Sequence, residues 1–185
     1  MVPYAVVVGS SIFFSGITPN LDVNCDWLIV PGQRVGKVHL GAERSKVMAT
    51  LGQPKKVAGM EGDAAMGHIW TVWPGNHGHQ LDVYTVRRED DSAGNPRNIV
   101  RQIRLTSPSF FTSTGVRVGE SLRDIQAKSM RLSLVKDSPA LKIFDDVRHG
   151  IAFEFTKSKV TWRCAAITIH PKHSKVLGEY LPFNS

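Results

Sequence analysis

The sequence predicts an α+β protein of two tandem repeats, each a short helical segment packed on a three- to four-stranded antiparallel sheet. Three observations carry that expectation. "VHLGAERSKVMA" (Val38–Ala49) aligns without a gap on "VRVGESLRDIQA" (Val116–Ala127), an offset of 78 positions in a chain of 185. Each copy then carries helix start or stop signals. Each helix is followed by runs that alternate or concentrate Val, Ile, Phe, Tyr and Trp between turn-forming residues, the pattern of antiparallel strands. A period near 80 residues in a chain this long reads as two copies of one unit, and a helix on one face of an antiparallel sheet makes a two-layer domain.

In chain order, residues 1–29 form an N-terminal extended segment. "YAVVVGSSIFFSG" (Tyr4–Gly16) has the length of a signal-peptide core and is too short for a membrane helix. It has neither a basic start nor a clear small-x-small cleavage site, and no lipobox precedes Cys25. A signal remnant and a β-strand are therefore both open readings.

The first repeat is placed at 30–111. Its opening, "VPGQRVGK" (Val30–Lys37), looks like a phosphate-binding loop, but only three residues separate Gly32 from Gly36, and Val38 follows the lysine where a hydroxyl is needed for magnesium. The glycines are read instead as turn and cap residues. Val47, Met48 and Leu51 form the buried stripe of a helix that Gly52 caps and Pro54 ends. Three strands are expected over Gly67–Pro74, His79–Glu89 and Asn98–Ser107.

The second repeat is placed at 112–185. Ser121 and Asp124 have the spacing of a capping box, and Leu122, Ile125 and Ala127 begin the stripe. Strands are expected over Ala140–Asp146, Gly150–Thr156 and Lys159–His170.

The glycine–helix–L-G-x-P pattern followed by a meander resembles the small outer-membrane lipoprotein of the β-barrel assembly machinery. The tandem arrangement resembles β-lactamase inhibitory protein. The lead-in "DWLIVPGQRVG" (Asp26–Gly36) is similar to exported bacterial proteins that open with W-x-I-V-P-G-x-x-V-G. The likeness covers about Trp27–Pro54 by motif and the rest by topology. Ala42 stands where such proteins carry Ser or Thr, and the second copy lacks the closing L-G-x-P. The resemblance implies a periplasmic or cell-envelope protein that binds another protein. The motifs are structural, and one fold serves many roles.

Hydrophobic residues at 42% and charged residues at 21% are ordinary for a globular protein, while a formal charge of +7 favours anionic partners. Cys25 and Cys164 form no CxxC knuckle; in an exported protein they could pair, and in a reducing compartment they would be small buried hydrophobes. Trp70, Trp73, Tyr84 and Trp162 fall on expected strands, with Arg87, Arg88, Arg101 and Arg104 on neighbouring ones. These residue types dominate protein–protein hot spots, so Trp70, Trp73, Tyr84, Arg101 and Arg104 are the candidate binding residues. The same set would suit nucleic-acid stacking and phosphate contact, though no nucleic-acid motif accompanies it.

Catalytic chemistry has little to stand on. His77 and His79 are two apart and would share a strand face, with Asp82 or His68 as further ligands, which makes them weak metal candidates. His170 and His173 flank a proline and read as a solvated tail, and Asp145-Asp146 and Asp90-Asp91 as turn residues. Ser10, Ser11 and Ser15 lack the nucleophile elbow, and Cys164 sits mid-strand where a thiol is inert. The expectation is a non-catalytic, cofactor-free module that engages a protein partner through a sheet face; the alternatives are a metal-dependent protein using His77/His79, and a basic nucleic-acid binder.

Overall fold

The computed structural model describes residues 26–58, 68–71, 78–88, 97–128, 131–158 and 160–176. The chain begins with three short strands, β1 (Leu28–Val30), β2 (Arg34–Val35) and β3 (Val38–His39), and a helix, α1 (Arg44–Leu51). A meander follows: β4 (Lys56–Ala58), β5 (His68–Thr71), β6 (Leu81–Arg88) and β7 (Arg97–Leu105). After β8 (Phe111–Thr112) and α2 (Leu122–Ala127) come β9 (Ser133–Asp137), β10 (Leu141–Asp146), β11 (Ile151–Ser158) and β12 (Thr161–Ile169).

The expected pair of helix-on-sheet repeats is corrected by this architecture, which is mostly β. The strands of both stretches join into one eight-stranded sheet, ordered β4-β5-β6-β7-β12-β11-β10-β9, beside a small sheet ordered β3-β2-β1-β8. The seam of the large sheet is β7 against β12, where Leu105, Arg104 and Ile103 oppose Ile167, Thr168 and Ile169. The physical reason no helical layer forms is length. α1 has eight residues and buries Val47; α2 has six and buries Ile125. Burying one aliphatic side chain contributes about 1.5–3 kcal/mol, too little for a helix to serve as half of a domain. One core cluster instead gathers Ile29, Val35 and Val38 from the small sheet with Val83, Ile103, Leu105, Phe153, Phe155, Ile167 and Ile169 from the large one.

Local contacts nonetheless follow the 78-residue offset. Gly41 N–H donates to the Val100 carbonyl and Val100 N–H to Ala42, both at 2.8 Å. Gly119 and Glu120 make the same exchange with Cys164, at 2.8 and 2.9 Å. Both partners are in strands of the one large sheet. At α2 the capping box forms as the sequence predicts: Asp124 N–H donates to Ser121 Oγ (3.2 Å), and the Ser121 hydroxyl donates to Asp124 Oδ2 (2.6 Å). That bond, with smaller help from Arg163 and Lys128, holds the Asp124 carboxyl below its usual range. At the end of α1, Gly52 takes φ 82° and its N–H bonds the Met48 carbonyl.

The lead-in glycine has a packing role. Gly32 N–H donates to the Gly150 carbonyl at 3.1 Å, as does His170 N–H. Both glycines have positive φ, and a Cβ on Gly150 would collide with the His170 carbonyl oxygen and lie 2.9 Å from Gly32 Cα. The first loop thus docks on the β10–β11 turn with no room for a side chain. Among the described residues, no helix is long and apolar enough to cross a membrane.

Candidate functional site

Of the predicted binding residues, Trp70, Tyr84, Arg101 and Arg104 lie among the described residues. Tyr84 is buried on β6, and Arg104 is half-buried at the seam. Trp70 lies in β5 opposite Val57 and Val83. Arg101 is exposed and reaches the Ser174 hydroxyl, with Nη2 donating at 3.4 Å. Trp73, His77 and Cys25 lie outside the described residues, while His68 sits in β5 opposite Thr85. Among the described residues, no group of three or more His, Cys, Asp or Glu side chains could hold a metal ion. Cys164 is a buried free thiol whose Sγ–H donates to the Ala166 carbonyl. Burial, then the Glu154 charge, pushes that thiol well above its usual range.

Two places combine chemistry with access. The first is the outer end of the large sheet. Leu134 opposes Phe144, Lys142 opposes Phe155, and Lys157 opposes Trp162. Cross-strand partners share a face, and Trp162 shares the face of Cys164 two residues on. Lys142, Phe144, Phe155, Trp162 and Lys157 are therefore a continuation of the core face, past the point where α2 covers it. There it comes to the surface: Phe144 and Trp162 are half-buried, and Leu134 is 49% exposed. The Lys142 ammonium lies 5.2 Å from the Trp162 ring centroid, a cation–π contact. The edge strand β9 is exposed along its whole length. Its register shifts between Ile143 and Phe144, which leaves Val135 without a partner on β10. A bulge and a lysine, Lys136, are devices that discourage strand addition, so this end offers side chains to a partner more readily than backbone.

The second place is the seam. The Arg104 guanidinium meets Glu154 through Nε–Oε1 at 2.6 Å and Nη2–Oε2 at 2.9 Å, and Asp82 through Nη1–Oδ2 at 3.2 Å. Burial acts to lower its pKa, but the Glu154 bonds and charge, then those of Asp82, hold it above its usual range. β7 and β12 pair over three residues only, and beyond that overlap a pocket of about 480 Å3 opens, lined by Asp82, Arg104, His79, Gln80, Thr106, Val118 and Ala165 among others.

Sequence reasoning offered Arg104 as a binding residue and did not single out Glu154. The signal was there: Asp82, Arg104 and Glu154 each sit within apolar strand sequence ("QLDVY", "QIRLT", "AFEFT"), where a charge must find a partner. It also misread Asp145, Asp146 and His170. Both aspartates are fully buried; Asp145 bonds His170 Nε2 at 2.9 Å and accepts the Val176 N–H at 2.9 Å, and Asp146 bonds His149 Nδ1 at 2.8 Å. Asp145 ties the end of the sheet to the segment after β12, and Asp146 ties β10 to its own turn and to the Arg131 N–H.

No protein-family model matches the chain, and no curated protein matches it. Among solved structures, the uncharacterized protein yfeY from Escherichia coli is similar, with a TM-score of 0.52 at 11% identity. The match covers 76% of this chain and 98% of that one. At that identity the likeness concerns the fold alone.

Proposed function

We propose that the chain is a non-catalytic module, exported to the bacterial cell envelope, that binds an acidic protein partner through the outer end of its large sheet. The observation that carries this reading is Trp162, half-buried on a continuation of the core face with Lys142 over its ring and Lys157 opposite it. A rigid aromatic anchor beside apolar neighbours is hot-spot chemistry; Lys142 is paired with Asp137 at 2.6 Å, so the exposed Lys136 and Lys157, with the +7 charge of the whole chain, set the sign of the partner. Export draws on the resemblance of "DWLIVPGQRVG" to exported bacterial proteins.

The test is a photoreactive amino acid at Val135, irradiated in cells, in wild type and in a Trp162→Ala/Leu134→Asp variant. We expect one adduct of defined mass in wild type that is lost in a variant that remains folded. An adduct formed equally well by the variant would sink the proposal, as would loss of the adduct through unfolding.

A further inference from the structure

The seam pocket has a charge that its own residues do not balance. Arg104 brings one guanidinium against the two carboxylates of Asp82 and Glu154, which leaves one negative charge in a setting where the Asp82 and Glu154 side chains are 9% and 3% exposed. Glu154 spends both oxygens on Arg104. Asp82 spends only Oδ2; its Oδ1 is buried, and among the described residues no group donates to it. A buried carboxylate oxygen without a donor is costly, about 1–3 kcal/mol and more when charged, and this one belongs to a residue that lines the pocket.

We propose that this pocket binds a primary ammonium group carried on a short alkyl stem. The ammonium supplies what Asp82 lacks, an N–H donor and a positive charge together. Val118 and Ala165, on the same lining, give an apolar wall for the methylene stem, the way lysine side chains lie along apolar surface. A volume of about 480 Å3 falls within the range of small-molecule sites. A divalent cation fits less well, because no group of three or more His, Cys, Asp or Glu side chains gathers among the described residues, and hard cations take six or more oxygen ligands. This inference does not depend on the outer sheet surface, since the two places share no residue.

The experiment is isothermal titration calorimetry of the full chain with n-butylamine, with the blocked peptide acetyl-Gly-Lys-Gly-amide, and with n-butyrate as the anionic control. Saturable binding of an amine, with none for butyrate, is expected. Asp82→Asn should weaken it about tenfold or more, the worth of a charge-assisted bond. Because Asp82→Asn alters a buried ion cluster, Ala165→Leu, which fills the pocket and leaves the cluster intact, serves as the second variant and should also abolish binding. Butylamine bound with the peptide excluded supports a free amine as the natural ligand; the peptide bound at least as well supports a lysine side chain. Saturable binding by neither amine, or binding that both folded variants retain, overturns the proposal.

Discussion

Removing Arg104 tests the energetic argument at the seam. Arg104→Met keeps the length and packing of the stem but deletes all three charge-assisted bonds, to Glu154 at 2.6 and 2.9 Å and to Asp82 at 3.2 Å. With Arg104, Asp82 and Glu154 side chains only 12%, 9% and 3% exposed, water replaces these bonds poorly, and only from the pocket side. Stripping the partner from a buried ion cluster costs about 3–5 kcal/mol. For a chain of this size each kcal/mol shifts the melting temperature by about 2–4 °C. Urea denaturation at neutral pH should therefore show a midpoint far below wild type with the slope unchanged. The triple change Asp82→Leu/Arg104→Met/Glu154→Leu should recover most of the loss, because apolar replacement of a whole buried ion cluster is often neutral or stabilising. An Arg104→Met loss below about 1 kcal/mol, or a triple variant no better than the single, would refute the reasoning that the carboxylates depend on this guanidinium.

Three further outcomes are expected. Burial raises the Cys164 thiol above its reference value of 9.0, so above that pH the unfolded thiol ionises while the folded one keeps its proton. Stability is untouched below that pH and falls as pH rises past it, a slope that Cys164→Ala should remove; identical alkaline profiles for the two proteins would contradict this. Ser121→Ala deletes the α2 cap (Asp124 N–H to Oγ, 3.2 Å) and should cost about 1 kcal/mol by urea denaturation. In wild type the Asp124 contribution, from a lowered pKa, is present at neutral pH and lost as pH falls through the acid range. Gly150→Ala meets the His170 carbonyl and Gly32 Cα at φ 74°, whereas Gly41→Ala at φ 76° meets nothing within 4 Å; Gly41→Ala should lose about 1–2 kcal/mol from backbone strain alone, and Gly150→Ala distinctly more.

What could be read in advance was local. Ser121 and Asp124 cap a helix because the bond spans three residues, and six of the expected strands form close to their predicted spans, since alternation and turn residues sit within each run. The joining of the meanders was hidden because only three residue pairs make it, between strands more than fifty residues apart. Helix length misled the fold class: the stripes at Val47 and Ile125 are real, but each helix buries one of its residues. β9 went unseen because "SLVKD" is short, lacks alternation and is exposed throughout. Among the binding candidates, Arg104 was named without its ion partners, since pattern alone does not reveal that Asp82 and Glu154 lie beside it.

The proposed binding surface at the outer end of the sheet has Trp162 as its anchor. The direct measurement is the dissociation constant of the cross-linked partner, once purified, for wild type and for Trp162→Ala, beside the unfolding midpoint of each. An anchor there predicts affinity weakened at least about thirtyfold, the mark of a hot spot, in a variant that stays folded with a lower midpoint, because Trp162 also packs against the core. Equal affinity for the two proteins would contradict it.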